Sequence, residues 1–137
     1  MQLTPGYIKP RKADRALLVD DDPLMCEVSA DILNELGIKD IMTAADGAEA
    51  AAIFDRAAIK PDLILCDLSM PRTDGFQFIG TLAKRRYLGG IIIISGQESR
   101  ALTSASLIGQ LQQLNILATI EKPVDKAALA AAVARFR

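Results

Sequence analysis

Five short apolar runs punctuate the chain, and between them apolar residues recur at helical spacing. The runs are Ala16-Leu17-Leu18-Val19, Ile41-Met42-Thr43-Ala44, Leu63-Ile64-Leu65-Cys66, Ile91-Ile92-Ile93-Ile94 and Ile116-Leu117-Ala118-Thr119-Ile120. An unbroken apolar run bounded by turn residues fits a strand buried on both faces, as in a parallel sheet. The second run is the least apolar and is a candidate edge strand. After the first run, Pro23 suits the opening position of a helix, and Leu24, Val28, Ile32 and Leu36 recur every four residues until Gly37. That stripe predicts an amphipathic helix. Residues 47–58 read as an alanine-rich helix with Ala51, Ala52 and Ile53 inward, closed off before Pro61. Phe76, Phe78, Ile79 and Leu82 mark a third helix that runs out at Arg85-Arg86. Leu107, Ile108, Leu111 and Leu114 mark a fourth within residues 98–114, and residues 125–137 form a fifth built on Leu129, Val133 and Phe136.

Strands alternating with helices, with no repeat and no internal linker, predict a doubly wound α/β domain with a parallel sheet. The expected form is a flavodoxin-like (βα)5 three-layer sandwich with strand order 2-1-3-4-5. Residues 1–14, with Pro5, Gly6, Pro10 and the charges of Lys9, Arg11 and Lys12, show no periodicity and read as a flexible arm. The domain is assigned to residues 15–137.

The polar residues fall in a pattern of their own. Asp20 and Asp21 follow the first strand, Asp67 the third, Ser95 the fourth and Lys122 the fifth. In a parallel sheet these positions share one edge, and if the first and third strands are neighbours their ends lie about 4.8 Å apart. Three carboxylates then converge, with Asp67 expected at the rim of the sheet rather than in its core. Converging carboxylates repel unless a cation neutralises them, and an all-oxygen donor set points to Mg²⁺, with Mn²⁺ as the second fit. Beside such a cation an ionised Asp67 is able to attack phosphorus and form an acyl phosphate. Lys122 offers a point positive charge and Ser95 a hydroxyl donor to the remaining phosphoryl oxygens. Taken singly each residue has an ordinary explanation. Asp22 before Pro23 is a helix cap, Asp74-Gly75 is a turn signal with no site role, Ser95-Gly96 is a strand-end turn, and Lys122-Pro123 is a lysine before a rigid turn. Their coincidence at matched strand ends favours the chemistry.

Composition narrows the classes. A chain of 137 residues, half of them hydrophobic, is long enough for one domain with a proper core. With 16 basic and 17 acidic residues it carries no field that would draw nucleic acid. No apolar run approaches the roughly 20 residues of a membrane span, and the first residues lack a secretion signal, so a soluble cytoplasmic protein is expected. The absence of histidine excludes Ser-His-Asp and Cys-His mechanisms, imidazole-ligated zinc and a phosphohistidine donor role. Cys26 and Cys66 make neither a disulfide framework nor a metal spacing and read as small core hydrophobes.

Over residues 15–137 the chain resembles the receiver domain of two-component response regulators. The resemblance rests on Val19-Asp20-Asp21-Asp22-Pro23, on the stretch from Asp67 through Met70-Pro71 to Asp74-Gly75, on Ser95-Gly96 after a β-branched strand, and on Lys122-Pro123. It implies that Asp67 is the phosphoacceptor, loaded by a sensor histidine kinase or phosphotransfer protein. It also implies that Asp20, Asp21, Asp67 and the backbone carbonyl of Ser69 hold Mg²⁺, that Ser95 is the hydroxyl switch residue, that Lys122 binds the phosphoryl group, and that Lys122-Pro123 is cis. Such a domain is not an enzyme acting on a separate substrate; it catalyses its own phosphorylation and dephosphorylation. A narrower likeness, in Gly89-Gly90-Ile91 through Ser95-Gly96-Gln97-Glu98 and from Leu114 to Pro123, is to receivers joined to EAL-type cyclic-di-GMP phosphodiesterase domains. Output would then pass to an effector domain or partner linked to cyclic-di-GMP turnover, with no direct nucleic-acid or membrane contact and with a homodimer left open.

One position departs from the family pattern. Where many receivers carry Tyr or Phe three residues before the lysine, this chain has Thr119, so switching is expected to run through residues 96–106 and the neighbouring surface of the fourth helix and fifth strand, with Leu102 offered to a partner. A pseudo-receiver keeping the fold without phosphoryl chemistry is the alternative, against which the complete acidic pair, Asp67, Ser95 and Lys122 argue. An aspartate-nucleophile phosphohydrolase commonly carries a second acid two residues after the nucleophile, and here that place is taken by Ser69.

Overall fold

The computed structural model describes residues 13–69, 74–96 and 111–136. The five apolar runs form five parallel strands, β1 (Arg15–Val19), β2 (Asp40–Ala44), β3 (Leu63–Asp67), β4 (Gly90–Ser95) and β5 (Asn115–Glu121), in the order β2-β1-β3-β4-β5. The helices are α1 (Pro23–Glu35), α2 (Gly47–Arg56), α3 (Asp74–Lys84) and, at the C-terminal end, α4 (Lys126–Val133). β2 is an edge strand, as its lower apolar content predicts, and β5 is the other. The helix expected within residues 98–114 falls mostly outside the described residues. The flexible arm assigned to residues 1–14 lies outside them too except for its end, where Ala13 is buried and the Asp14 N–H donates to Asp62 Oδ2 at 2.9 Å.

Alternate residues of each central strand feed two separate cores. Leu17, Val19, Ile64, Cys66, Ile91 and Ile93 pack with Phe54 of α2 and with Phe78, Ile79 and Leu82 of α3. On the opposite face Leu18, Leu65, Ile92 and Ile94 pack with Leu33 of α1 and with Leu129 and Ala132 of α4. Because strand side chains alternate in direction, a run with no polar residue is what a sheet covered on both faces requires. Each fully buried Ile or Leu contributes roughly 1.5–3 kcal/mol of apolar burial, so the four isoleucines of β4 anchor both layers.

Two helix readings need correction. In α1 only the second half of the stripe turns inward: Ile32 and Leu36 are half-buried against the core, whereas Leu24 is 64% exposed and Val28 38% exposed, and the fully buried residues are Ser29 and Leu33. The inward face combines buried Ser29 and Leu33 with half-buried Cys26 and Ala30, and the N-terminal aliphatic groups stay outside. In α2 Ala51 and Ile53 are half-buried against the core as expected, but Ala52 faces solvent and the fully buried residues are Gly47, Ala50 and Phe54. In a helix of alanines, composition cannot assign the face; the aromatic Phe54, set edge-on to Tyr87 at 5.4 Å, does so.

Candidate functional site

Parallel strands in this order line up their carboxyl ends, and the polar residues of the sequence pattern stand there together. Asp20 follows β1, Asp67 closes β3, Ser95 closes β4, and Lys122 follows β5. One expectation fails in an informative way. Asp67 is not at an open rim but only 1% exposed, since β1 and β4 flank it and the start of α3 covers it. A Cβ on Gly75 would lie 2.5 Å from the Asp67 backbone carbonyl, so glycine permits this close packing of helix on strand end. The Asp74-Gly75 pair, read as a plain turn signal, thus carries a second requirement that the sequence did not reveal.

The Asp67 carboxylate is gripped at both oxygens. Oδ1 accepts from the Ser69 backbone N–H at 2.7 Å, and Oδ2 accepts from Lys122 Nζ at 2.7 Å. Lys122 keeps 28% of its side chain exposed and is the cation directly on this carboxylate. Its backbone N–H donates to the Ser95 carbonyl at 2.8 Å, which fixes β5's exit against β4, and the Lys122-Pro123 bond is cis. Ser95 is buried, 5% exposed, beside this junction. Thr119 is exposed on β5. Asp22 is the N-cap of α1, accepting from the Leu24 N–H at 3.0 Å, as a helix cap should.

Asp20, Asp21 and Asp67 each offer a carboxylate oxygen, and these atoms lie within 4.8 Å of one another. All three donors are carboxylate oxygens, the hard donor type that Mg²⁺ takes, with positions left for water or phosphoryl oxygens. The donor set therefore fits Mg²⁺. Neither thiol competes for such a role. Cys66 is fully buried, which drives its pKa upward, and Cys26 is pushed up to about 11 by burial and by Asp20, Asp22 and Asp21.

Crowding of like charge is visible in the titration of the cluster. The Asp20 carboxyl is raised to about 6 by burial first and by the charge of Asp67, against a backbone hydrogen bond from Asp22 that lowers it. Burial alone would lower the Lys122 ammonium; its hydrogen bond to Asp67 and the charges of Asp67, Asp20 and Asp21 outweigh that and raise it. A carboxyl whose pKa is raised on folding stabilises the fold fully only below its unfolded value near 4, and that contribution is lost as pH rises through about 6. Metal-free Asp20→Asn is therefore expected to melt above the wild type at pH 7, with the difference vanishing towards pH 4. Mg²⁺, which needs the ionised form, should bind the wild type more weakly below pH 6. Melting curves across this range with and without Mg²⁺ check both; a wild-type curve indifferent to millimolar Mg²⁺ at pH 7 would count against the metal site.

Known proteins agree with this geometry. Residues 16–134 match the model of the response regulator receiver domain. EvgA of Escherichia coli K12, a DNA-binding transcriptional activator, is 37% identical over 84 residues, covering 61% of this chain and 40% of that protein. The transcriptional regulatory protein PdtaR of Mycobacterium tuberculosis H37Rv is 29% identical over 127 residues, covering 90% of this chain and 58% of that one. The chain thus spans about half the length of these curated relatives. Among solved structures, a response regulator from Colwellia psychrerythraea superposes with a TM-score of 0.72 at 29% identity, covering 90% of this chain and 95% of that one. CheY in the CheX-CheY-BeF3-Mg²⁺ complex from Borrelia burgdorferi gives 0.70 at 28% identity, covering 87% and 85%. With the doubly wound sheet, the acidic cluster and a family match across nearly the whole described fold, the chain belongs to the response regulator receiver domains.

Proposed function

We propose that Asp67 is the phosphoacceptor of this receiver and that its phosphorylation switches an output surface. The observation that carries the reading is the Asp67 carboxylate held 2.7 Å from Lys122 Nζ beside two further carboxylates at matched strand ends. The donor is a phosphohistidine of a sensor kinase or phosphotransfer protein. A carboxylate oxygen of Asp67 attacks phosphorus, the P–N bond breaks, and the imidazole leaves with the bonding pair and takes up a proton. Lys122 neutralises charge on the transferred group, and the Ser95 hydroxyl donates to one of its oxygens. Asp20, Asp21, Asp67 and the Ser69 backbone carbonyl would hold Mg²⁺, which supplies charge neutralisation to the phosphoryl oxygens. The domain in this reading catalyses its own phosphorylation and dephosphorylation. The BeF3-Mg²⁺ form of the Borrelia burgdorferi relative supports it. Incubation with acetyl phosphate and Mg²⁺ should add one phosphoryl mass to the intact protein; no added mass under conditions that label a reference receiver would overturn it.

Output is assigned to residues 96–119, since exposed Thr119 offers no aromatic ring to rotate. Residues 97–110, Leu102 included, lie outside the described residues. Amide exchange with and without beryllofluoride should change within residues 96–119; changes confined to α1 and α2 would refute this. The likeness around Gly89-Gly90-Ile91 and Leu114 to Pro123 favours an EAL-type cyclic-di-GMP phosphodiesterase domain as effector. The reading puts the module in the cytoplasm with such kinases, and no helix among the described residues is long and apolar enough to cross a membrane. Beryllofluoride-dependent binding to an isolated EAL-type domain tests the effector assignment, and equal binding with and without the mimic would sink it.

A further inference from the structure

The β3–β4 ladder ends in an irregular way at the site. Its last backbone rung joins the Leu68 N–H to the Ile94 carbonyl at 2.9 Å. In a parallel ladder of this register, with Asp67 opposite Ile94, the next rung would run from the Gly96 N–H to the Leu68 carbonyl. The Gly96 N–H goes instead to the Ser69 hydroxyl oxygen at 2.6 Å. The approach is close enough that a Cβ on Gly96 would stand 3.0 Å from Ser69 Oγ, so this side chain has taken the place of a backbone rung.

The same serine holds the reacting group, because its backbone N–H donates to Asp67 Oδ1 at 2.7 Å. Ser69 thus belongs to a closed circuit. Asp67 is tied to Ser69, Ser69 to Gly96, Gly96 is bonded in chain to Ser95, the Ser95 carbonyl is tied to the Lys122 N–H, and Lys122 Nζ returns to Asp67. Forming an acyl phosphate removes the carboxylate charge that strengthens both links to Asp67, from the Ser69 N–H and from Lys122 Nζ, while the Ser69–Gly96 and Ser95–Lys122 links stay chemically intact.

Resting on the phosphoacceptor reading of Asp67, we propose that the Ser69 side chain is a positioning residue. Its hydroxyl pins the Gly96 amide in the unphosphorylated state and is released when Asp67 carries the phosphoryl group. A contact made in only one of two states biases the equilibrium between them by its net worth, which for one exposed hydrogen bond is about two- to tenfold. Ser69→Ala keeps every backbone donor and acceptor and removes only the pin. It should bind beryllofluoride about two- to tenfold more tightly than the wild type, and its resting Gly96 amide should exchange faster. Ser69→Thr, which retains the hydroxyl, should restore both values.

The test is a beryllofluoride titration in Mg²⁺ with residue-resolved amide exchange on the wild type, Ser69→Ala and Ser69→Thr. Tighter binding and faster Gly96 exchange in Ser69→Ala, both reversed in Ser69→Thr, support the pin. Unchanged Gly96 exchange in Ser69→Ala overturns the rung. Faster exchange with no gain in affinity overturns its switching role. Failure of the wild type to bind beryllofluoride overturns the phosphoacceptor reading and the switching role with it, while the Gly96 comparison still decides whether the rung exists.

Discussion

Asp67→Asn is expected to acquire no phosphoryl mass from acetyl phosphate and Mg²⁺ under conditions that label the wild type. Asp67 is the carboxylate that combines burial at a strand end, an ammonium at 2.7 Å and two neighbouring carboxylates able to share a cation. The Lys122 ammonium sits on Asp67, whereas Asp20 Oδ1 takes a backbone N–H, that of Asp22, at 2.9 Å, and Asp21 is exposed. An amide in place of the nucleophile has no anionic oxygen to offer phosphorus, so the loss should be complete rather than graded. The substituted amide still presents an oxygen to the Ser69 N–H or to Lys122 and removes one of three mutually repelling charges, so the metal-free variant should melt no lower than the wild type. Intact mass and a melting curve on the same sample separate lost chemistry from lost fold. Full labelling of Asp67→Asn would show that another residue accepts the phosphoryl group.

Lys122→Ala carries the second large effect, on stability. It leaves a 1% exposed carboxylate without its cation and beside two others. Breaking a buried pair from one side costs about 3–5 kcal/mol. Here the lower end is expected, because Lys122 is itself 28% exposed and water screens the pair. A loss of about 3 kcal/mol corresponds to a fall of roughly 10 °C in the melting temperature of a domain this size. Mg²⁺ should recover more stability in the variant than it adds to the wild type, since it replaces the missing positive charge. In the metal-free double variant Asp67→Asn/Lys122→Ala, the cost of losing Lys122 should shrink, because the two side chains act on each other. Thermal melts of the four proteins check this. Additive effects would mean that Lys122 stabilises the fold through its aliphatic stem and not through Asp67.

How much of this was legible in the residues follows from how each feature is encoded. The strands are written in contiguous letters, and a sheet buried on both faces demands unbroken apolar runs, so β1, β3 and β4 can be read to within a residue. The weak apolar content of β2 marked it as one edge, and the placing of Asp20, Asp21, Asp67, Ser95 and Lys122 at the ends of strands located the candidate site once the strands were parallel. Helix faces were less legible. Leu24 and Val28 repeat at a helical spacing yet are exposed, while Ile32 and Leu36 of the same stripe pack on the core beside Leu33 and the small residues Cys26 and Ala30, so a periodicity of large aliphatics alone did not assign the face.

What the sequence alone determined is the layered fold and the set of charged residues that meet at one sheet edge. Tertiary structure decided how they meet: that Asp67 is enclosed rather than rimmed, that Gly75 must pack on its carbonyl, and that Ser69 replaces a backbone rung to Gly96. Each of these depends on distances between segments far apart in the chain, and sequence pattern records which face or end a residue occupies but not how closely two such ends approach.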